Sequence, residues 1–146
     1  MEKFIFLPHT ADIKMRAYGA TQQELFKHAL IGMFTISQPV TAHAIIDNTT
    51  PLNFPLTEPQ QFAISSPTLA FLLIDFLGEA LYLCDAYNQV FLDIEFSQLT
   101  ETQTSGTLLG IKIERFASVE IKAVTYHTTE LVYENNLWQA DIVFDI

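Results

Sequence analysis

The sequence predicts an α+β fold in which a largely antiparallel β-sheet packs against two main α-helices. Three observations indicate this class: strand-like alternation of apolar and polar residues near both ends of the chain, two stretches with helical spacing, and a turn signal between the last two strands. At 146 residues, 49% of them hydrophobic, the chain fits a single domain, residues 1–146, with a sizeable core.

The N-terminal part reads as two strands followed by a helix. Residues 4–7 form an apolar strand-like run, residues 9–12 form a polar loop, and residues 13–18 alternate with the period of a half-buried strand. Thr21 and Glu24 are spaced as a capping box, so a helix is predicted over residues 21–35.

The middle of the chain predicts one long helix after an irregular segment. Residues 39–61 contain several prolines and one short predicted strand at 43–47. Ser66 followed by Pro67 predicts an N-cap and a first helical position, with the helix running over residues 68–83. This helix is apolar nearly all round, and Asp75 with Glu79 marks the side that faces solvent or a polar site.

The rest of the chain is predicted to form five strands, at residues 89–97, 107–115, 119–125, 130–134 and 137–144. A turn at residues 103–106 joins the first two strands. Asn135 and Asn136 tolerate the positive φ of a two-residue turn and predict a hairpin between the last two. The alternation of the final strand continues to the last residue, so we expect Asp145 and the terminal carboxylate to be held in place.

The composition excludes several classes of protein. With 17 acidic and 7 basic residues the net charge is −10, and neither Lys nor Arg occurs between Lys27 and Lys112, which argues against tight nucleic-acid binding. The longest apolar run, residues 69–74, is too short for a membrane span. A single cysteine, Cys84, predicts a core thiol in a reducing compartment, and the N-terminus lacks a signal-peptide pattern; both favour the cytoplasm.

Carboxylates near the two ends of the chain are candidate metal ligands. Asp12, Asp145 and a main-chain oxygen of Ile146 would give a partial oxygen shell of the kind that Ca²⁺ and Mg²⁺ prefer. The four histidines have no zinc-ligand spacing with one another or with Cys84. On these residues alone, turn formation or capping is the commoner role of such side chains.

Two further functional interpretations of these residues are open. One is a metal-dependent phosphoesterase, with Asp12 and Asp145 holding the metal and His9 or His127 acting as acid or base. The other is a chaperone-like binding module with an apolar face. A phosphate-cradling glycine loop is not visible, since the five glycines are scattered.

Several separated motifs resemble the archease family from end to end. They are HTAD at residues 9–12, the helix that begins at Thr21, LLIDFLGEALYL at 72–83, KAVTYH at 122–127 and the closing Asp145-Ile146. The resemblance implies an archease-like α+β fold over the whole chain, because the motifs occur in the family's order.

The resemblance also implies a function. Archeases assist the GTP-dependent tRNA-splicing RNA ligase by promoting its guanylylation and multiple turnover, so a protein partner is expected and not an independent enzyme. It further implies that Asp12, Asp145 and Ile146 bind a divalent cation, Ca²⁺, Mg²⁺ or Mn²⁺. Three more residues are expected to support that site: His9, Lys122 and His127.

Overall fold

The computed structural model describes residues 2–7 and 12–146, with the main chain alone described for residues 127–129. In this part of the chain two helices and nine strands follow one another as β1 (Phe4–Leu7), β2 (Ile13–Gly19), α1 (Gln22–Thr35), β3 (Pro39–Val40), β4 (Glu58–Ser65), α2 (Leu69–Tyr87), β5 (Gln89–Leu99), β6 (Gln103–Lys112), β7 (Arg115–Phe116), β8 (Ala123–Glu134) and β9 (Leu137–Asp145).

The strands form three antiparallel sheets. One has the order β1-β2-β9-β8, the second has the order β4-β6-β5, and β3 pairs with β7. Both helices contact strands of the two larger sheets, α1 through β2 and β5, and α2 through β8 and β4. The predicted α+β class, with a largely antiparallel sheet and two main helices, is confirmed.

One face of the four-stranded sheet belongs to the hydrophobic core. Met15 and Ala17 on β2, and Ile142 and Phe144 on β9, are fully buried, as the alternation of both strands predicts. The hairpin between β8 and β9 turns at Asn135 and Asn136, whose φ values of 54° and 60° confirm the predicted turn.

Helix α1 begins as its capping box predicts. Thr21 is the N-cap, and its hydroxyl accepts the Glu24 main-chain N–H at 3.1 Å. The Glu24 carboxylate accepts the N–H of Ala20. The first contact satisfies a main-chain donor that the first turn of a helix leaves without an intrahelical partner, and the second ties the residue before the cap to the helix.

The start predicted for α2 was wrong. The N-cap is Thr68, whose hydroxyl accepts the Phe71 N–H, whereas the Ser66 hydroxyl donates to Asp75 in the second turn of the helix. The helix extends to Tyr87, beyond the predicted end at residue 83, and closes on Asn88 in the left-handed conformation. Among the described residues, none of the helices is long and apolar enough to cross a membrane.

The expectation that Cys84 is a core thiol is confirmed. This residue lies near the end of α2 and is buried in the core cluster. Burial raises the pKa of its thiol to about 12, so the thiol stays protonated and behaves as an apolar group.

The irregular segment before α2 holds a strand that the sequence did not predict. β4 pairs with β6 over eight residues, whereas the strand predicted at 43–47 is absent, with a single bridge from Ile45 to Val40. The Thr41 hydroxyl accepts the N–H groups of His43 and Ala44. These bonds fold the chain back on itself and prevent a longer ladder.

The turn predicted at residues 103–106 was also wrong, because those residues belong to β6 and the turn lies at 100–102. Gly106 has a φ of +155°, and a Cβ there would lie 2.1 Å from the Glu95 carbonyl oxygen. The glycine therefore allows β5 and β6 to approach each other and does not form a turn.

Candidate functional site

Strands β2 and β8 begin, and strand β9 ends, side by side at one end of the four-stranded sheet, which we call the edge. Ile13, the first residue of β2, pairs with Phe144 of β9, and continuing this register by one residue sets Asp12 opposite Asp145. On the other side of β9, Asp145 pairs with Ala123 of β8. The fold thus brings the two ends of the chain, 133 positions apart in sequence, to one edge.

The main chain at this edge is held, and its side chains face outward. The Lys122 N–H donates to the Asp145 carbonyl oxygen at 2.8 Å, which extends the β8–β9 ladder past the last strand residue. Asp145 is exposed and Ile146 is 42% exposed. An ordered backbone with exposed carboxylates is the arrangement that the alternation of the last strand predicted.

A half-buried ion pair lies on the same outer face of the sheet. Arg16 donates from Nε and Nη2 to the two Asp141 carboxylate oxygens at 2.7 and 3.0 Å, and the Lys14 Nζ lies 3.9 Å from the same carboxylate. The Asp141 side chain is 8% exposed. The hydrogen bonds to Asp141 raise the pKa of Arg16 above its usual value, and the pair fixes β2 against β9.

Sequence reasoning missed this pair. The alternation had placed Asp141 with Asp145 on the outer face, and Arg16 is one of seven basic residues. What was lacking was the pairing of β2 with β9, because two strands at opposite ends of a chain give no local signal that they are neighbours.

Beside the edge, β8 carries a large bulge. Thr125 pairs with Val143 and Glu130 pairs with Asp141, so β8 advances five residues where β9 advances two. His127, a predicted supporting residue, belongs to this bulge by its main chain. Its side chain lies outside the described residues.

The first residue of the bulge is tied to α2. The Tyr126 hydroxyl donates to Asp75, which also accepts the Ser66 hydroxyl, and the Tyr126 ring meets Phe71 edge-on at 5.4 Å. The hydrogen bond to Asp75 raises the pKa of Tyr126. Asp75 was predicted to face solvent or a polar site, but nothing in the sequence showed Tyr126 to be its partner.

The predicted ligands are hard oxygen donors. The carboxylates of Asp12, which is half-buried, and Asp145, which is exposed, together with a main-chain oxygen of Ile146 suit Mg²⁺, Mn²⁺ or Ca²⁺ better than zinc, which favours histidine and thiolate. Among the described residues, no three His, Cys, Asp or Glu side chains cluster as a metal site. His9 lies outside the described residues, and Lys122 reaches the edge through its main chain.

A separate polar cavity of about 450 Å³ lies between α1 and β5 and contains none of the predicted ligands. Lys27 and Asp93, which both line this cavity, form an ion pair with the Lys27 Nζ 2.9 Å from the Asp93 Oδ1. His28 lines the cavity with its Nδ1 2.7 Å from the Tyr18 carbonyl oxygen, to which it donates. Burial lowers the pKa of His28, so the ring is neutral at physiological pH.

Comparisons with known proteins agree on one family. The Archease protein family matches residues 4–146. Protein archease of Methanosarcina mazei is 34% identical over 99% of this chain and 97% of its own length, and that of Methanosarcina barkeri is 32% identical over the same shares.

Solved structures agree with the sequence comparisons. The solution structure of protein 1598 from Methanobacterium thermoautotrophicum has a TM-score of 0.74 and 28% identity, with full coverage of both chains. The crystal structure of an archease, a possible chaperone, from Thermotoga maritima shares the fold with a TM-score of 0.63 and 18% identity over 96% of this chain and 94% of its own.

The fold and the site are those of an α+β protein with ordered, acidic strand ends. Among its described residues, no helix could span a membrane. The chain belongs to the archease family.

Proposed function

We propose that this protein is a metal-binding, non-catalytic activator of the GTP-dependent tRNA-splicing RNA ligase. It would act in the cytoplasm by promoting ligase guanylylation and multiple turnover. The observation that carries the proposal is the register between β2 and β9, which sets Asp12 opposite Asp145 beside an ordered and exposed chain end. Membership of the archease family supports the choice of this partner.

Asp12, Asp145 and an oxygen of Ile146 would hold the cation. A divalent cation bound there would supply positive charge for phosphate oxygens at an otherwise acidic edge. The chain's own residues hold this edge together, since the Arg16–Asp141 pair fixes β2 to β9 and the Lys122 N–H fixes β8 to the last residues. The net charge of −10 suits docking on a basic protein site and disfavours RNA as the direct ligand.

The test is guanylylation of the cognate ligase by GTP, with substoichiometric amounts of this protein and with Mg²⁺ or Mn²⁺. We expect stimulation by the wild type and its loss in Asp12→Ala and Asp145→Ala variants that remain folded. Glu134→Gln is the matched control, because Glu134 is exposed at the opposite end of the same hairpin.

The same samples distinguish the alternatives. Unchanged stimulation by Asp12→Ala and Asp145→Ala would remove the metal site from the mechanism. Metal-dependent hydrolysis of a phosphodiester by the purified protein alone, lost in Asp12→Ala, would indicate a phosphoesterase. Suppression of aggregation of unrelated proteins without ligase stimulation would indicate a chaperone-like module.

A further inference from the structure

Helix α2 presents an exposed surface that the proposed metal site does not use. Five residues share one side of the helix and form what we call the α2 outer face: Phe71, Asp75, Gly78, Glu79 and Tyr82. Phe71 is 41% exposed and Tyr82 is 64% exposed, although most other large side chains of α2 are buried. Tyr87, the last residue of the helix, is also exposed but lies outside this face. The face therefore carries two exposed aromatic residues on a helix whose large side chains are mostly buried.

A glycine lies at the centre of this face. A Cβ at Gly78 would meet no atom of the described chain within 4 Å, so packing within the molecule does not require glycine there. Glycine in a helix interior also lowers helix stability relative to alanine. A residue that weakens the helix without relieving a contact in the monomer fits a role outside the monomer, where the missing side chain lets a partner approach the backbone.

The aromatic side chains near the start of this face are pre-positioned. The Tyr126 ring, 56% exposed, is fixed by its hydroxyl's hydrogen bond to Asp75 and by edge contact with Phe71. Aromatic anchors that are held before binding lose little conformational entropy when a partner covers them. The ring pair thus has the properties of an interface anchor.

The charge of the face selects the partner. α2 contains three acidic residues and no Lys, Arg or His. Anionic RNA and anionic lipid would be repelled, and a second copy of this chain carries the same charge of −10. The complementary occupant is a protein surface with basic groups around an apolar patch.

The face is also continuous with the candidate metal edge. Tyr126 is three residues along β8 from Ala123, the pairing partner of Asp145, which is a separation of about 10 Å along a strand. The face itself, from Phe71 to Tyr82, is about 16 Å long. One partner could cover both regions, and together they come closer to the area of a specific interface than either does alone.

We propose that the α2 outer face, with Tyr126, is the docking surface on which a basic, apolar patch of the RNA ligase binds. This inference rests on the proposed function and adds a division of labour. The α2 outer face holds the ligase, and the Asp12–Asp145 edge acts on it.

The experiment measures the dissociation constant for purified ligase and, separately, the guanylylation rate at saturating concentrations of this protein. Gly78→Trp is expected to weaken binding about tenfold or more, because it places bulk where the partner approaches. Gly78→Ala adds a single methyl group at the same position and should weaken binding by a smaller factor than Gly78→Trp. Both substitutions improve helix propensity, so unfolding cannot account for a loss.

Two charge-reversal variants complete the test. Glu79→Lys is expected to weaken binding about tenfold at low salt, whereas Glu101→Lys, the same change at an exposed turn outside the face, should have little effect. The Gly78→Trp and Glu79→Lys variants should still reach the wild-type maximal rate at saturation. Asp145→Ala should fail to stimulate even at concentrations that saturate its binding to the ligase.

Other outcomes overturn the inference. Wild-type affinity in Gly78→Trp and Glu79→Lys, with stimulation still lost in Asp145→Ala, would remove the docking surface and leave the proposed function intact. Self-association of the wild type that Gly78→Trp abolishes would assign the face to a second copy of the chain. Absence of both binding and stimulation by the wild type would remove the proposed function and this inference together.

Discussion

Two aspartates four residues apart on the same face of β9 have different environments. Asp141, in the middle of the strand, is buried and accepts two hydrogen bonds from Arg16. Asp145, at the end of the strand, is exposed, and the contact that holds it comes from its main chain. Strand position and neighbours thus make one carboxylate a structural group and leave the other accessible as a ligand.

The largest effect on stability is expected from the opposite face of the same strand. Phe144 lies between the two aspartates in sequence and is fully buried in the core. Phe144→Ala should lower the free energy of unfolding by about 3–5 kcal/mol, measured by urea denaturation, because it removes a buried ring and leaves a cavity. Val132→Ala on the neighbouring strand, at an exposed position, should cost less than about 0.5 kcal/mol.

The next prediction compares the stability cost of replacing Asp141 with that of replacing Asp145. Asp141→Asn should lower the free energy of unfolding by about 1–3 kcal/mol, because it leaves the Arg16 guanidinium facing a neutral amide in a largely buried site. Asp145→Asn should change it by less than about 0.5 kcal/mol in metal-free buffer. Equal costs for the two variants in the same urea titration would contradict the comparison.

Metal addition distinguishes the two aspartates in a second way. At a Mg²⁺ or Mn²⁺ concentration ten times its dissociation constant, the wild type should gain about 1.4 kcal/mol of stability. Asp145→Asn should gain none, whereas Asp141→Asn should gain as much as the wild type from its lower baseline. Thermal unfolding with and without EDTA measures this, and an equal gain in Asp145→Asn would place the cation elsewhere.

The smallest effect is a pH dependence away from both aspartates. Because the folded-state pKa of His28 lies below its unfolded value of about 6.5, the unfolded chain binds more protons as the pH falls. The contribution of His28 is therefore fully present above that pH and is lost as the pH falls towards its folded pKa. His28→Gln should flatten the pH dependence of the free energy of unfolding between pH 7 and 5, and an unchanged slope would contradict it.

Local patterns predicted much of the fold. The capping box of α1, the alternation of β2 and β9, the Asn135-Asn136 turn and the buried Cys84 depend on interactions within a few residues or on burial alone. The errors in the predicted cap and turn also came from local signals, which have other roles in the fold. Ser66 and Gly106 carry signals typical of a cap and a turn, but Ser66 hydrogen-bonds Asp75 and Gly106 gives β5 room to approach β6.

For the candidate site, too, one part could be predicted from the sequence and another part could not. The carboxylate chemistry of Asp12 and Asp145 and the acidic balance of the chain can be recognised without coordinates. They indicate which class of cation such ligands would suit, and they disfavour RNA as a direct ligand. The Arg16–Asp141 pair, the bulge of β8 and the bond from Tyr126 to Asp75 required the fold. The two side-chain contacts join residues that are 125 and 51 positions apart.

Alternation assigns a side chain to a face of its strand but does not identify the neighbouring strand. The identity, order and spacing of the amino acids therefore specified the α+β class, the sides of the final strand and the kind of ion that its carboxylates suit. The pairing of β2 with β9 and the contact of β8 with α2 arise from packing around the common core. That packing decides which aspartate is buried against an arginine and which one is exposed at the edge of the sheet.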